Sequence, residues 1–362
     1  MKTNFSNISG LLNKLLTVLA LLMFVAVAPS CDNEIYDYDT CEPEGPEDPG
    51  PDNPGPDDPN EPGPAAYYVR FIFDMNLLYK DAFSTNVNSV DLYVFNESGA
   101  FLTKYHEEGL PLKNDGYLME LTDLPAGTYE LIAWCGVNNG YFTVPTVISN
   151  RSSIDCTLTA PGDVQSRQLP GMFHGVPATK TVTYTEEPGE QIKDVYLTKD
   201  TNNINVTIQH QDGLEFAKDR FTATIKDNNG YMLYDNSVPA SNQMITYKPY
   251  RTVYGTVDYE NTTGNYLQVE FSTSRLMDTH DATLEIMDTE AGEVIYSFPV
   301  INWALKLRSL EHKGMGEQEY LDRQDQYNLL VLLKNDPNGS GWIGADVRIL
   351  DWHVKDDSSD LK

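Results

Sequence analysis

Residues 90–102, VDLYVFNESGAFL, decide the fold class. Val90, Leu92 and Val94 alternate with Asp91, Tyr93 and Phe95. That is the period of two that a strand imposes by pointing successive side chains to opposite faces. The run breaks at Asn96-Glu97-Ser98-Gly99 and resumes at Ala100-Phe101-Leu102. A glycine closing an Asn-led turn supplies the positive φ that a short hairpin loop needs. The flanks keep the same period. Tyr67, Val69, Phe71 and Phe73 share one face, opposite Tyr68, Arg70, Ile72 and Asp74. Downstream, 117–121 and 128–134 read as strands joined by a turn in which Pro125 presets one φ and Gly127 frees another.

A second block repeats this grammar. Val195, Leu197 and 204–208 read as strands, and Phe221, Ala223 and Ile225 alternate into Asp227-Asn228-Asn229-Gly230 and Tyr231-Met232-Leu233. IKDNNGYML (225–233) therefore lines up with VFNESGAFL (94–102) as a second hairpin. Strand patterns follow at 267–271, 284–287 and 294–298. Trp303, Leu307 and Leu310 stand at i, i+4 and i+7, which predicts a short helix over 303–312. The run YNLLVLL (327–333) predicts a strand buried on both faces, and 342–354 predicts the last strand. Short strands at roughly ten-residue spacing predict an all-β chain of two tandem Greek-key β-sandwiches, residues 65–190 and 191–362.

The start of the chain reads as an address. Lys2 and Lys14 precede the apolar run LLTVLALLMFVAV (15–27), which has signal-peptide length and falls short of the about 20 residues that a spanning helix needs. It ends in Ala28-Pro29-Ser30-Cys31. Small residues before a cysteine resemble a bacterial lipobox, with cleavage before Cys31 and acylation of its thiol, although Ala28 replaces the usual Leu and Pro29 is uncommon there. An ordinary secretory signal over 1–30 beside an incidental Cys31 is the alternative. Residues 32–64 then hold twelve acidic residues and no Lys or Arg, and 42–64 alone has nine prolines and four glycines. Proline removes ladder donors and like charges repel, so 31–64 is predicted to be an extended, solvated tether.

The charge excludes some partners. With 54 acidic residues against 25 basic ones the formal net charge is −29. Such a chain repels phosphate backbones, so nucleic-acid binding is a poor hypothesis. No cofactor motif, HExxH helix, nucleophile elbow or Cys/His zinc spacing occurs. His174, in Gly171-Met172-Phe173-His174-Gly175, lines a pocket or belongs to a loop packed by Met172 and Phe173. Asp227-Asn228-Asn229-Gly230 and Asp336-Pro337-Asn338-Gly339 offer calcium-friendly oxygens without the distal Glu of a calcium loop, and read as turns. Tyr250, Tyr254, Tyr259 and Tyr266 are candidates for stacking on sugars or for ordinary strand positions. Cys135 and Cys156 form either a disulfide, permitted by export, or two separate buried thiols. The chain is thus read as a non-enzyme without catalytic or metal residues.

These pieces resemble, in order along the chain, the FimB-type fimbrial anchor and accessory subunits of Bacteroidales type V pili, within the fimbrillin superfamily. The resemblance rests on the lipoprotein-like start, on 90–102, on Leu124-Pro125-Ala126-Gly127-Thr128-Tyr129 before the strand ending at Trp134, and on VYLTKDTNNINVTI (195–208). EYLDRQDQY (319–327) before the apolar strand is its most specific local match, and the final strand fits too. The resemblance implies two transthyretin-like sandwiches, a surface-exposed protein of the outer membrane held by a lipid on Cys31, and pairing with fimbrial stem or accessory subunits by β-strand addition. Stem subunits are cut after an Arg near the N-terminus and lose their first strand, whereas anchors keep theirs. Arg70 is followed by no other Arg until Arg151, which favours the anchor part. A surface glycan-binding lipoprotein is the alternative.

Overall fold

In the computed structural model, which describes residues 63–258, 263–335 and 342–349, strand patterning governs both halves of the body. The first part carries β1 (Ala65–Ile72), β2 (Ser89–Asn96), β3 (Phe101–Glu108), β4 (Leu118–Glu120) and β5 (Gly127–Cys135). Five shorter strands follow: β6 (Phe142–Thr143), β7 (Cys156–Leu158), β8 (Val164–Gln165), β9 (Phe173–Val176) and β10 (Val182–Tyr184). Next come β11 (Gly189–Lys199), β12 (Thr201–His210), β13 (Phe221–Asp227), β14 (Tyr231–Met232) and β15 (Ile245–Tyr247). The chain continues with β16 (Arg251–Asp258), β17 (Thr263–Ser274), β18 (Thr283–Asp288), β19 (Glu293–Pro299), β20 (Gln326–Asn335) and β21 (Trp342–Ile349). Three helices interrupt them: α1 (Phe83–Asn86), α2 (Val300–Glu311) and α3 (Glu317–Arg323). The expected 303–312 helix is α2, begun one turn earlier behind Pro299. The segments 1–62, 259–262, 336–341 and 350–362 lie outside the described residues, and with them the signal, the tether, Cys31, Tyr259 and the Asp336-Pro337-Asn338-Gly339 turn.

The first sheet has eight strands in the order β3-β2-β5-β9-β11-β1-β4, with β10 on β5. The hairpin at 90–102 forms as expected, β2 antiparallel to β3. Gly99 has φ +81°, and Asn96 Oδ1 accepts from the amides of Ser98 and Ala100. Val90, Leu92 and Val94 enter one hydrophobic cluster with Val69, Phe71 and Leu131. Tyr93 and Phe95 enter a second cluster on the other side, with Ile132 and Trp134. The alternation is thus real, but neither face of β2 meets solvent. Asp91 is buried as well, and its carboxylate accepts from Lys104 and Asn138 and sits 2.6 Å from His106 Nδ1.

The Leu124-to-Tyr129 stretch is a corner. Tyr129 Oη donates to the Pro125 carbonyl at 2.7 Å, and a Cβ on Gly127 would sit 2.9 Å from that hydroxyl. Proline shapes the turn, glycine leaves room, and tyrosine closes it. Removing only the hydroxyl, by Tyr129→Phe, should lower stability by about 1 kcal/mol. A shift of the urea midpoint at constant m-value would register it.

The second sheet, β16-β17-β12-β20-β21, and the third, β19-β18-β13-β15-β8, face one another across the second cluster. Ile204 and Val206 contribute from the one, Ile225 and Leu284 from the other, each fully buried. The chain is therefore all-β and sandwich-like. On β20, Tyr327, Leu329, Val331 and Leu333 are buried while Asn328, Leu330 and Leu332 are only half-buried. The strand expected to be buried on both faces is therefore covered fully on one.

The second hairpin does not form. β13 pairs with β15 and β18, and β14 pairs with β7 in a small sheet, β14-β7-β6. The turn is redirected by its own polar side chains. Buried Asn229 donates to the carbonyls of Ser274 and Arg275 and accepts from Tyr247 Oη at 2.6 Å. Those bonds fasten the turn beneath its neighbours, and the chain leaves toward β7 instead of folding back. β8 likewise pairs with β15, so pieces of the first half stand in sheets of the second. Asn60–Lys362 accordingly clusters as a single unit. The division at 190/191 falls inside β11, which pairs with β1 and β9 throughout; the change of sheet comes at Asp200.

Candidate functional site

Two stretches singled out in the sequence, VYLTKDTNN and EYLDRQDQY, meet where β11 passes into β12. Asp200 lies between those strands with no exposure, its amide bonded to the Met172 carbonyl. Asn236 Nδ2 donates to Asp200 Oδ1 at 2.9 Å, and Arg275 Nε stands 3.6 Å from the same oxygen. Arg275 then forks onto Asp322 of α3, with Nε to Oδ1 at 2.8 Å and Nη2 to Oδ2 at 2.7 Å, and Nη1 donates to the Asn236 carbonyl. Gln318, one turn before Asp322, donates to it at 2.9 Å and also holds the Leu276 carbonyl. One guanidinium thus joins α3, the loop carrying Asn236 and the β11–β12 crossing. A planar fork matches a carboxylate geometrically, which a lysine would not do.

Burial dominates the electrostatics here. It pushes the Asp200 carboxyl up to about 7, against the pull of Arg275 and Asn236. Oδ2 of Asp200 meets no donor among the described residues, which agrees with that direction. Next to this cluster Lys199 pairs with Asp325, and Asn203 N donates to the Asp325 carbonyl at 2.8 Å. Arg323 Nη1 donates to the Asp74 carbonyl at 2.9 Å, and its guanidinium lies 4.3 Å from the centre of the Tyr79 ring. The loop after β1, the end of β11, α3 and the start of β20 together wall a cleft of 930 Å³.

The edges of the sheets are the other functional geometry of a strand-pairing protein. β1 is not an edge. Arg70 stands opposite Asp194 of parallel β11 and Leu118 of antiparallel β4, and its side chain forks onto Asp194 at 2.8 and 2.9 Å. Val69, Phe71 and Phe73 of this segment are buried. β21 ends the second sheet, paired with β20 on one side only among the described residues.

The remaining candidates are structural. Cys135 and Cys156 are free thiols in different clusters, on opposite sides of the first sheet, so the bridge is not formed and the alternative of two buried thiols describes them. Burial raises the pKa of both. His174 lies in β9, bonded through Nε2 to the Tyr234 carbonyl at 2.8 Å with its ring 4.7 Å from that of Trp134; burial pushes it down to about 4. Tyr254 donates to the Phe216 carbonyl, and the Tyr266 ring covers Gly255, where a Cβ would come within 2.5 Å of it. Those two tyrosines pack against the protein itself. Among the described residues no cluster of three His, Cys, Asp or Glu is placed to hold a metal, and no helix is long and apolar enough to cross a membrane. Arg275, Asn236 and Asp322 were not marked by the sequence as partners. Asp322 stood inside EYLDRQDQY without a named partner, and Arg275 in STSRLMD (272–278) carried no signal of its own.

This architecture has known counterparts. A candidate adhesin from Bacteroides thetaiotaomicron is 28% identical, aligned over 82% of this chain and 98% of its own, with a TM-score of 0.68. A candidate polysaccharide-binding protein from the same species is 24% identical over 80% and 96%, also at 0.68. The fimbrial anchor protein Mfa2 from Porphyromonas gingivalis is 13% identical over 80% and 98%, at 0.62. The last two similarities speak to the fold. A comparison with curated protein sequences returned no match. The family model of fimbrillin-A associated anchor proteins Mfa1 and Mfa2 matches residues 57–358. The chain belongs to that family of fimbrial anchor proteins, a structural rather than catalytic group, working at the cell surface in association with fimbriae.

Proposed function

We propose that the protein is a surface lipoprotein that fixes a fimbrial fibre to the outer membrane through a lipid on Cys31 and pairs with stem or accessory subunits by β-strand addition. The observation that carries the reading is the place of β1 in a chain of this family. Its ladder is occupied on both sides around Arg70, and its side chains fill the first cluster. A protease acting after Arg70 needs that backbone extended in its own active site, so it would first have to pull β1 from between β11 and β4. An anchor that keeps its first strand retains its lipid and its tether. Among the described residues β21 pairs with β20 alone, and its other side is where a neighbouring strand would add. In this reading the chain divides into two sandwich-like halves near the passage from β11 into β12.

Replacing Cys31 by Ala should release the protein into the medium. Two or three acyl chains hold a protein at about 0.8 kcal/mol per buried methylene, and nothing else in this reading does so. Continued membrane attachment of Cys31→Ala would reject the lipid. N-terminal analysis of cell-derived protein separates the fibre roles: an uncut, acylated chain co-purifying with fibres supports the anchor. A chain beginning at Phe71 makes it a stem or tip subunit. Saturable polysaccharide binding with no fibre attached would favour the glycan-binding alternative.

A further inference from the structure

One face of the first sheet is covered over part of its length. On β1, β9 and β11 the side chains of Val69, Phe71, Phe173, Val195 and Leu197 enter the first cluster, and the alternate ones take the other face. His174 lies on that other face against Trp134, a member of the second cluster. Beyond it the cover stops. The register sets Ile72 beside Tyr196 and Val176 in one row, Arg70 beside Asp194 in the next, and Tyr68 beside Ile192 in a third. Val176, Ile192 and Tyr196 are each 40% exposed, although they stand inside an eight-stranded sheet. With strands about 4.8 Å apart and rows about 6.7 Å apart, the grid covers on the order of 300 Å². That is the size at which exposed apolar surface begins to mark a contact.

The pattern of this patch is self-complementary. Each row holds unlike residues on β1 and β11: isoleucine beside tyrosine, arginine beside aspartate, tyrosine beside isoleucine. A two-fold axis running along the strands, midway between β1 and β11, exchanges them when a second copy faces the first. Arg70 then meets the partner's Asp194, Tyr68 the partner's Ile192, and Ile72 the partner's Tyr196, and each relation holds in reverse. That reciprocity is the condition of an isologous interface. The bordering acids stand clear of their own copies. Glu190, beside Ala66, is set over alanine, and Glu120 of β4, opposite Tyr68, lies a strand away from the axis. Tyrosine and arginine are also the side chains that interface cores favour.

We propose that this face pairs with a second copy of the same chain about that axis, sheet against sheet. Charge selects the occupant. Two chains of net charge −29 repel one another in general, whereas here the cation and anion of one copy face the anion and cation of the other. Face-to-face sheets about 10 Å apart, with strands within about 30° of each other, bring these rows into contact. The pairing goes beyond the anchor reading and needs neither lipid nor fibre. Sedimentation velocity on the full chain carrying Cys31→Ala tests it, because no acyl chain can then hold copies together. This parent should show a dimer fraction that rises with concentration. Arg70→Asp and Asp194→Arg should each weaken association at least about tenfold, since like charges then oppose one another. Mixed in equal amounts, the two variants should dimerise again, the acidic patch of one facing the basic patch of the other. An ion pair that matters within one chain alone gives no such rescue. Ile192→Glu leaves Arg70 and Asp194 in place and should also give monomers, which decides the matter where a charge variant folds poorly. A parent that stays monomeric up to about 1 mM would overturn the proposal. So would a dimer untouched by Ile192→Glu, a mixture of folded charge variants no more associated than either alone, or a fimbrial subunit or polysaccharide that occupies this face on a monomeric chain.

Discussion

Arg275→Ala should lower stability by about 3–5 kcal/mol, the usual result of removing one partner from a buried ion pair and leaving the other charged. The loss comes from what stays behind. Asp200 has no exposure and Asp322 is nearly buried, so neither recovers solvation when the guanidinium goes. Part of the penalty is relieved by protonation, which gives the effect a pH signature. The folded Asp200 carboxyl is held near 7, above its ordinary 3.8. Between about pH 4 and pH 7 the folded state therefore keeps a proton that the unfolded state has lost, and stability contributed by this group falls as pH rises through that window, by at most about 1.4 kcal/mol per pH unit. Without Arg275 the carboxyl moves further up and the decline extends to higher pH. Asp200→Asn should flatten it. Urea titrations at several pH values decide the matter; a midpoint indifferent to Arg275→Ala would mean that the cluster carries no stability.

The second large effect is expected at Trp134. Its side chain has no exposure, its Nε1 donates to the Ile154 carbonyl at 2.8 Å, and its ring meets His174 edge-on. It points from the first sheet into the cluster shared with the second and third sheets. Trp134→Ala should cost about 3–5 kcal/mol through the cavity and lost transfer energy. Trp134→Phe, which keeps a ring and drops the donor, should cost about 1–3 kcal/mol. The position adds a qualitative expectation. With Trp134 intact, heating should give one transition, and in Trp134→Ala the first sheet and the rest should melt apart. Scanning calorimetry distinguishes the two; a single unshifted transition in Trp134→Ala would refute the coupling.

What could be read from the sequence was whatever depends on neighbours along the chain. The faces of β1, the hairpin of β2 and β3, and the corner at Tyr129 are local, because side-chain alternation and turn chemistry are set within a few residues. The helix α2 showed its spacing. The failures share a cause. Asp91 and Glu130 lie on strands covered on both faces, and what holds the acids there, Lys104 and Arg151, comes from elsewhere in the chain. Asp227-Asn228-Asn229-Gly230 has hairpin composition, but the partners of Asn229 at 247, 274 and 275 are invisible from the turn itself. EYLDR (319–323) stood out as a motif without its reason. α3 is too short to show a periodicity, and its Asp322 acquires meaning only through Arg275. A lone arginine in an acidic chain names no partner until the fold supplies one.

The exchanged strands impose an order in time. Residues of β7 and β8 leave the ribosome well before β14 and β15, their ladder partners, and β1 waits for the whole of β11 on its parallel side. At about 5–20 residues per second of synthesis those delays last seconds, during which open edges and half a core stay unfilled. An emerging chain thus has no early resting point. A chain that stops before β14 and β15 leaves β8 without its ladder partner and β7 with β6 alone.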